Sequence, residues 1–442
     1  MRTDRSPDTS ASSDAATLAE RQQEGGCIDG QGSFRRRLRR KLWHVLARHF
    51  TLVLVVALAC VRLIGRRWRP VSGDGCEILL TGRFDSNNWI LNHLGPLSAS
   101  ERCSRLWMVS TNPVPALPKV TAVYPHQWLV RILGATPARL LTFAWVAIRR
   151  RPDIVGGFSI MVNGVAAVLV GRLVGARSIY FCVGGPAEIH DGGVHSVESP
   201  FRKMETPDSV VECRLLQIIA ESNTIITMGT RAVTFFRDKG IDVDFHVVPG
   251  GIDSTRFRLT EETPLYDLIL TGRLVEIKRI DVFLQAVKGV VDRISDVSAV
   301  IVGDGRLRDE LHALSVNLGI DRHVSFVGHQ EAVETWLRKS RVFVLTSDSE
   351  GLSLSMMEAM MCGLPAVVSD VGDLGDLVED GVNGYLVPRR SPELFAERLA
   401  ELLSDKQKLG SFSQAARRAA MRCETRATIQ RWDNVLTEFW KP

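Results

Sequence analysis

The chain reads as an α/β protein of two doubly wound parallel-sheet domains facing across a cleft, preceded by a basic and apolar segment that contacts a membrane. Three observations predict this. From position 71 onward, short runs of β-branched and leucine-rich residues alternate with stretches of helical periodicity, which is the pattern of βαβ units and a parallel sheet. The alternation is interrupted at 247–264 (VVPGGIDSTRFRLTEETP), where Gly, Pro and Thr mark a connector, and it then restarts. At 442 residues the chain is too long for one ordinary core and fits two. With 45% apolar and 24% charged residues it is a folded globular chain, and the absence of a repeat period argues against a solenoid.

The elements follow in order. Residues 1–34 are rich in Ser, Asp, Ala, Gln and Gly without apolar periodicity, and are expected as a flexible tail. Residues 35–70 differ sharply: positions 35–69 hold eleven basic residues and no acidic one, wrapped around the apolar run Phe50 to Val61. That run is short of the ~20 residues needed to span hydrocarbon. On a helical projection Leu38, Leu42, Val45, Leu46 and Phe50 share one arc, while Arg36, Arg37, Arg40, Lys41, His44 and Arg48 share the opposite one. The expectation is a cationic helix lying in the lipid interface with its basic arc toward anionic head groups, hence a peripheral protein at the cytosolic face of a membrane. The first 70 residues carry a net charge of +8 and the remainder −3, so the body has no polycation character and nucleic acid is not an expected partner.

The first domain is placed at 71–250, with strands at 77–81, 106–110, 154–157, 177–183 and 223–228 and helices at 88–98, 128–149 and 207–221. The second is placed at 251–425, with strands at 266–271, 298–303, 324–327, 341–345 and 366–369. Residues 426–442 have apolar positions at helical spacing and are expected to form a terminal helix packing back toward the first domain. The eight cysteines are scattered singly with no zinc-type spacing, so reduced thiols and no metal site are expected.

The most informative stretch is Ser347-Asp-Ser-Glu350-Gly-Leu-Ser-Leu-Ser-Met-Met-Glu358-Ala-Met-Met-Cys-Gly363-Leu-Pro365. It leaves a strand, passes a Ser/Asp/Gly loop, enters a helix near Leu352 and stops at Gly363. Such a loop aims free backbone amides and the positive end of a helix dipole at a ligand. Glu350 and Glu358 are eight residues apart, about 80° off one another on an ideal helix, so they are separate groups and not a paired acid–base couple. Val302-Gly303-Asp-Gly305 is not a dinucleotide fingerprint, because Arg308 stands where helix packing requires a third glycine.

Glu350-x7-Glu358 in this surround resembles the signature of family 4 retaining glycosyltransferases. The resemblance continues through Thr271-Gly-Arg273…Lys278-Arg279-Ile-Asp281, in which Arg279 replaces the usual glycine, through Val324-Ser-Phe-Val-Gly328, and through Asp373-Leu-Gly-Asp376…Gly384-Tyr-Leu-Val-Pro388. It covers about 245–405. It implies the GT-B fold of two Rossmann-like domains, with donor in the second and acceptor in the first. Residue by residue, it implies that Arg273 and Lys278 grip the donor diphosphate, that Glu358 binds the ribose, that Glu350 lies near the transferred sugar, and that Gly351, Leu352 and Gly328 approach the donor through their backbone. Two cations just beyond a strand's carboxyl end suit that role, since they neutralise charge building on a departing diphosphate.

In many relatives a histidine ends the strand corresponding to 177–183; here Val183-Gly184-Gly185 occupies that place, and Glu188 and His190, just beyond, are the candidate groups for orienting an acceptor hydroxyl. The expected activity is therefore transfer of a sugar, with retention and without a metal or other cofactor, from a nucleotide-diphosphate sugar to a lipid-linked or saccharide acceptor in cell-surface polysaccharide or glycolipid synthesis. The alternatives are a nucleotide-sugar-binding protein that has lost turnover and, on the same fold, a sugar-nucleotide epimerase.

Overall fold

The computed structural model describes residues 13–65, 75–84, 86–196, 199–260 and 262–439, with side chains from 35 onward. Positions 1–12 of the expected tail, 66–70 of the expected membrane segment and 440–442 of the terminal helix lie outside the described residues. The first part of the chain comprises α1 (Ser13–Ile64), β1 (Cys76–Thr81), α2 (Asn87–Ala99), β2 (Cys103–Val109), β3 (Val120–Val123), α3 (Gln127–Leu133), α4 (Ala135–Arg150), β4 (Ile154–Phe158), α5 (Val165–Val174), β5 (Arg177–Cys182), α6 (Ser209–Ile219), β6 (Thr224–Thr227), α7 (Thr230–Asp238) and β7 (Asp244–Val247). The second comprises β8 (Tyr266–Thr271), α8 (Ile280–Val291), β9 (Ala299–Val302), α9 (Arg308–Asn317), β10 (Val324–Phe326), α10 (Val333–Arg338), β11 (Ser340–Leu345), α11 (Leu354–Met361), β12 (Ala366–Ser369), β13 (Gly384–Val387), α12 (Pro392–Ser404), α13 (Lys406–Ala420) and α14 (Thr425–Glu438).

The strands form two separate parallel sheets, β3-β2-β1-β4-β5-β6-β7 and β10-β9-β8-β11-β12-β13. The fold is thus the pair of Rossmann-like domains that the alternation predicts. Central strands are covered on both faces, so they read as continuous apolar runs without in-and-out alternation; in β11, Val342, Phe343, Val344 and Leu345 are all fully buried. Strands β3, β7 and β13 are not predicted by the sequence pattern. Each is a four-residue edge strand, too short for a periodic signal. The single helix expected at 128–149 is broken into α3 and α4 by Gly134, whose φ of 84° only glycine adopts without strain.

The C-terminal α14 crosses back and packs against α2, placing Trp432, Val435, Leu436 and Phe439 in the apolar core of the first domain. Trp432 is 3% exposed and lies 5.9 Å from the Phe181 ring. Truncating such a side chain costs about 3–5 kcal/mol.

Helix α1 incorporates 13–34, where Ala, Leu, Glu, Gln and Arg are good helix formers; this corrects the expectation of a tail there. Farther on, α1 lies along α5, α6 and the turn at 200–204. Its orientation corrects the expected basic arc in part: Arg36, Arg37 and Lys41 are exposed as expected, whereas His44 and Arg48 reach toward the first domain. Asp208, the N-cap of α6, has a fully buried carboxylate that accepts from the amides of Val210 and Val211, and such a charge requires partners. His44 Nδ1 (2.6 Å) and Arg48 Nε (2.9 Å) supply them, and Arg62 pairs with Glu221. These three side chains reach toward the first domain, and Leu42, Val45, Leu46, Val53 and Val56 are exposed. Arg35–Ile64 is the one helix among the described residues long and apolar enough to cross a membrane by length and composition.

Candidate active site

The carboxyl ends of both sheets face one another, which is where loops of doubly wound sheets collect ligands. A cavity of about 480 Å³ lies between them, walled by Arg83, Trp89, His93 and Val183 from the first domain and by Arg273, Lys278, Glu350, Gly351 and Leu352 from the second. Arg273 also lines an adjoining space of about 840 Å³, together with Asn88, Arg256 and His329.

Strand β8 delivers Arg273 two residues past its end, and a short turn at 276–278 delivers Lys278. Lys278 Nζ donates to Glu350 Oε1 at 2.6 Å, and Ser347 Oγ donates to the same oxygen at 2.6 Å. The turn is held by Thr346 Oγ1, which donates to the carbonyls of Lys278 and Arg279. Arg279 has a left-handed backbone (φ 47°, ψ 47°), which explains why glycine is the usual residue at this position. Its guanidinium is anchored by Asp281 (2.7 Å) and Asp348 (3.5 Å). Burial raises the Asp348 carboxyl, but Arg390 and Arg279 outweigh it and hold the group below the usual carboxylate range.

Helix α11 opens beside these groups with Ser353 as its cap, its Oγ accepting from Met356 N, and with no acidic residue in its first turn. The amides of Gly351 to Ser353 thus meet two cations at one cavity, an arrangement suited to an anion. The loop comes very close to the first domain. A Cβ on Gly351 would stand 2.3 Å from the carbonyl oxygen of Val183, so the glycine is required sterically. Gly185 (φ 68°) faces the same loop, and a Cβ there would stand 3.3 Å from the carbonyl oxygen of Glu350.

Glu358 does not share that cavity. It is 4% exposed, accepts from Asn88 Nδ2 (2.5 Å) and Asn92 Nδ2 (3.5 Å) of α2, and sits behind Asn88 and Arg256, which donates to Asn88 Oδ1 at 3.3 Å. Burial pushes its carboxyl up to about 7, against the lowering by the asparagines and Arg256. Gly328 (φ 70°) lies two residues past β10, and its carbonyl accepts from Gly303 N; it lines neither cavity, whereas the next residue, His329, lines both.

Of the two acceptor-side candidates, Glu188 is 2% exposed and accepts from Ile160 N (2.7 Å), Gly184 N (2.6 Å) and Tyr180 Oη (2.8 Å). It pins the ends of β4 and β5 together and reaches the cavity wall from behind. His190 points away: it is half exposed, stacks edge-on to Phe235 and lies 3.7 Å from Glu212. Ligand atoms of His190, Asp191 and Glu212 fall within 4.8 Å of one another, but Lys239 Nζ already neutralises Glu212 at 2.6 Å.

Two groups in the cleft escaped sequence reasoning. His195 lines the cavity, held by Asp191 Oδ2 at 2.8 Å. His93, one turn after Trp89 on α2, lies against that ring at 4.0 Å and against Phe158 at 6.3 Å, and burial lowers it to about 3, so it is neutral. The Trp-x3-His spacing was the available signal. The domains are clasped elsewhere by Asp376, which accepts from the N and Oγ1 of Thr230 at the start of α7, and by an Arg231–Asp370 pair at 2.7 Å.

Residues 252–419 match the model of the family described as Glycosyl transferases group 1, and the donor-side groups Arg273, Lys278, Glu350 and Glu358 all fall within the matched stretch. Curated relatives include a D-inositol 3-phosphate glycosyltransferase of Streptomyces griseus, 36% identical over 163 residues (34% of this chain and 34% of that protein). A poly(ribitol-phosphate) alpha-N-acetylglucosaminyltransferase of Staphylococcus aureus is 28% identical over 166 residues (37% and 34%). The matches span from 20% to 54% of the length of these curated relatives. Among solved structures, Anabaena HepE in complex with UDP superposes with a TM-score of 0.64 at 18% identity, covering 82% of this chain and 100% of that one. Sucrose-phosphate synthase from Thermosynechococcus elongatus gives 0.66 at 16% identity, covering 82% and 98%. These likenesses show the GT-B fold.

Proposed function

We propose that the chain is a retaining glycosyltransferase that moves a sugar from a nucleotide-diphosphate sugar to an acceptor, lipid-linked and presented at the cytosolic face of a membrane, in the synthesis of a surface polysaccharide or glycolipid. The observation that carries this reading is the meeting of Arg273, Lys278, Glu350 and the first turn of α11 at one cavity. When the glycosidic bond to the nucleotide breaks, negative charge builds on the diphosphate, and two cations with a helix N-terminus stabilise that charge. Lys278 is already oriented by Glu350 and so loses little freedom on binding. Among the described residues no carboxylate is placed as an obvious double-displacement nucleophile; retention then follows from attack on the face that the leaving phosphate vacates, with that phosphate taking the acceptor's proton.

Glu358 is the candidate for the ribose hydroxyls, which requires Asn88 to give up its hydrogen bond when donor binds. The outward apolar side of α1 supports bilayer contact. The helix is pinned along the first domain at His44, Arg48 and Arg62, so it lies on a membrane surface more readily than through it. The test is a thermal-shift screen of UDP- and GDP-sugars followed by a transfer assay. A specific nucleotide-sugar shift, accompanied by donor-dependent transfer or slow donor hydrolysis with the anomeric configuration kept, is expected. No shift with any nucleotide sugar would refute the reading.

A further inference from the structure

A second groove, of about 1070 Å³, opens at the carboxyl ends of β1, β2 and β3 and shares Arg83 with the donor-side cavity. Its wall includes Arg83, Arg131 and Arg139, with Thr111, Tyr124 and Gln127, and no carboxylate among the described residues. Arg139 is 3% exposed and donates to two neutral oxygens, Thr81 Oγ1 (2.6 Å) and Asn163 Oδ1 (2.8 Å). Burial, and then the neighbouring Arg83, lower it to about 10, so it remains a cation at neutral pH. The two oxygens that Arg139 meets are neutral, so neither balances its charge, and an anion entering the groove would do so.

The groove also receives the start of α4. Ala135 and Thr136, its first residues, line the groove, no side chain caps this end, and no acidic residue occupies its first turn. The positive end of a sixteen-residue helix therefore adds to the three guanidiniums. Above the groove, α3 buries none of its residues: Trp128 and Ile132 are exposed, as are Trp145 and Ile148 on α4. Both α4 and α1 pack against α5. A cationic pocket reached across exposed tryptophan and isoleucine is matched by an amphiphile with an anionic head.

We infer that the groove formed by Arg83, Arg131, Arg139 and the N-terminus of α4 binds the phosphate or diphosphate of the acceptor, and that the acceptor's lipid chain leaves across Trp128 and Ile132 of α3. The inference rests on the glycosyltransferase reading and names the chemistry of its acceptor. The shared Arg83 then sets the acceptor's anionic group next to the donor cavity.

The test uses the full chain with phosphatidylcholine vesicles containing either farnesyl phosphate or farnesol, with glucose 1-phosphate as soluble competitor, and with the thermal shift by UDP and GDP read in parallel. Wild type is expected to favour the farnesyl phosphate vesicles. Arg131→Glu, an exposed change, is expected to weaken that preference by about tenfold or more and to leave the nucleotide shift unchanged. Arg139→Lys, which keeps the charge and removes the fork, is expected to weaken it less. Equal binding to farnesol vesicles, or an unchanged preference in Arg131→Glu, would overturn the inference. Competition by glucose 1-phosphate at comparable concentration would overturn the lipid source and assign the anion to a soluble phosphate. Loss of the nucleotide shift in wild type alone would sink the glycosyltransferase reading instead, since the vesicle result is read independently of it.

Discussion

Glu358→Gln isolates the buried carboxyl that joins the two domains. Raised from 4.5 to about 7, that group holds its proton in the folded protein across a window in which the unfolded chain has released it. Stability therefore falls as pH rises through this window. A shift of that size corresponds to about 3 kcal/mol in total, and at 4% exposure solvent screening does not diminish it. Glutamine keeps an oxygen to accept from Asn88 and is neutral throughout, so subtracting the variant's curve cancels every other titrating group. Denaturant unfolding of both proteins between about pH 4 and about pH 8 should show wild type losing about 3 kcal/mol relative to Glu358→Gln. Asn88→Ala, which removes a donor that lowers the group, should move the transition to higher pH. A difference between wild type and Glu358→Gln that stays flat over this range would refute the placement of a buried carboxyl at the domain boundary.

Three further outcomes are expected. Lys278→Ala should cut the transfer rate by about 10²–10³ while the fold, read by circular dichroism, is kept; a loss within a few-fold would remove Lys278 from the donor site. Asp208→Asn should loosen α1, detected as faster proteolysis within 35–64; because the hydrogen bonds of His44, Val211 and Arg48 outweigh burial and hold this carboxyl below its usual value, the difference from wild type should be present at neutral pH and vanish as pH falls below the carboxylate range. Gly351→Ala should force the loops apart at the Val183 carbonyl at a cost of about 1–3 kcal/mol, read as a larger radius of gyration by small-angle scattering; an unchanged radius and stability would deny the close approach.

Much of the donor half was legible in advance because its signals are local. Strands β8 and β12 fall where the apolar runs place them, and the α11 start follows from a Ser-rich loop leading into an apolar helix that ends before Gly363. The acceptor half was legible as alternation and little more. Glu188 read as a loop acid in reach of the cleft, yet its position is set by three donors from β5 and the β4 and β5 ends, including Tyr180 eight residues earlier and Ile160 twenty-eight residues earlier. His190 read as its companion, but the turn at 190–192 rotates it outward and brings His195 in.

Position along the chain by itself determined the class of each domain, the loop-and-helix donor motif and the charge asymmetry of the first 70 residues, since all depend on neighbours within a few turns. Only the tertiary structure decided that Glu358 meets Asn88 across 270 residues, that Asp208 pairs with Arg48 of α1 across 160, and that Arg83 and Arg139 converge on one groove. Those pairings follow from how two sheets and their covering helices come to rest against each other, and burying a charge selects its partner by proximity in space, which no local pattern encodes.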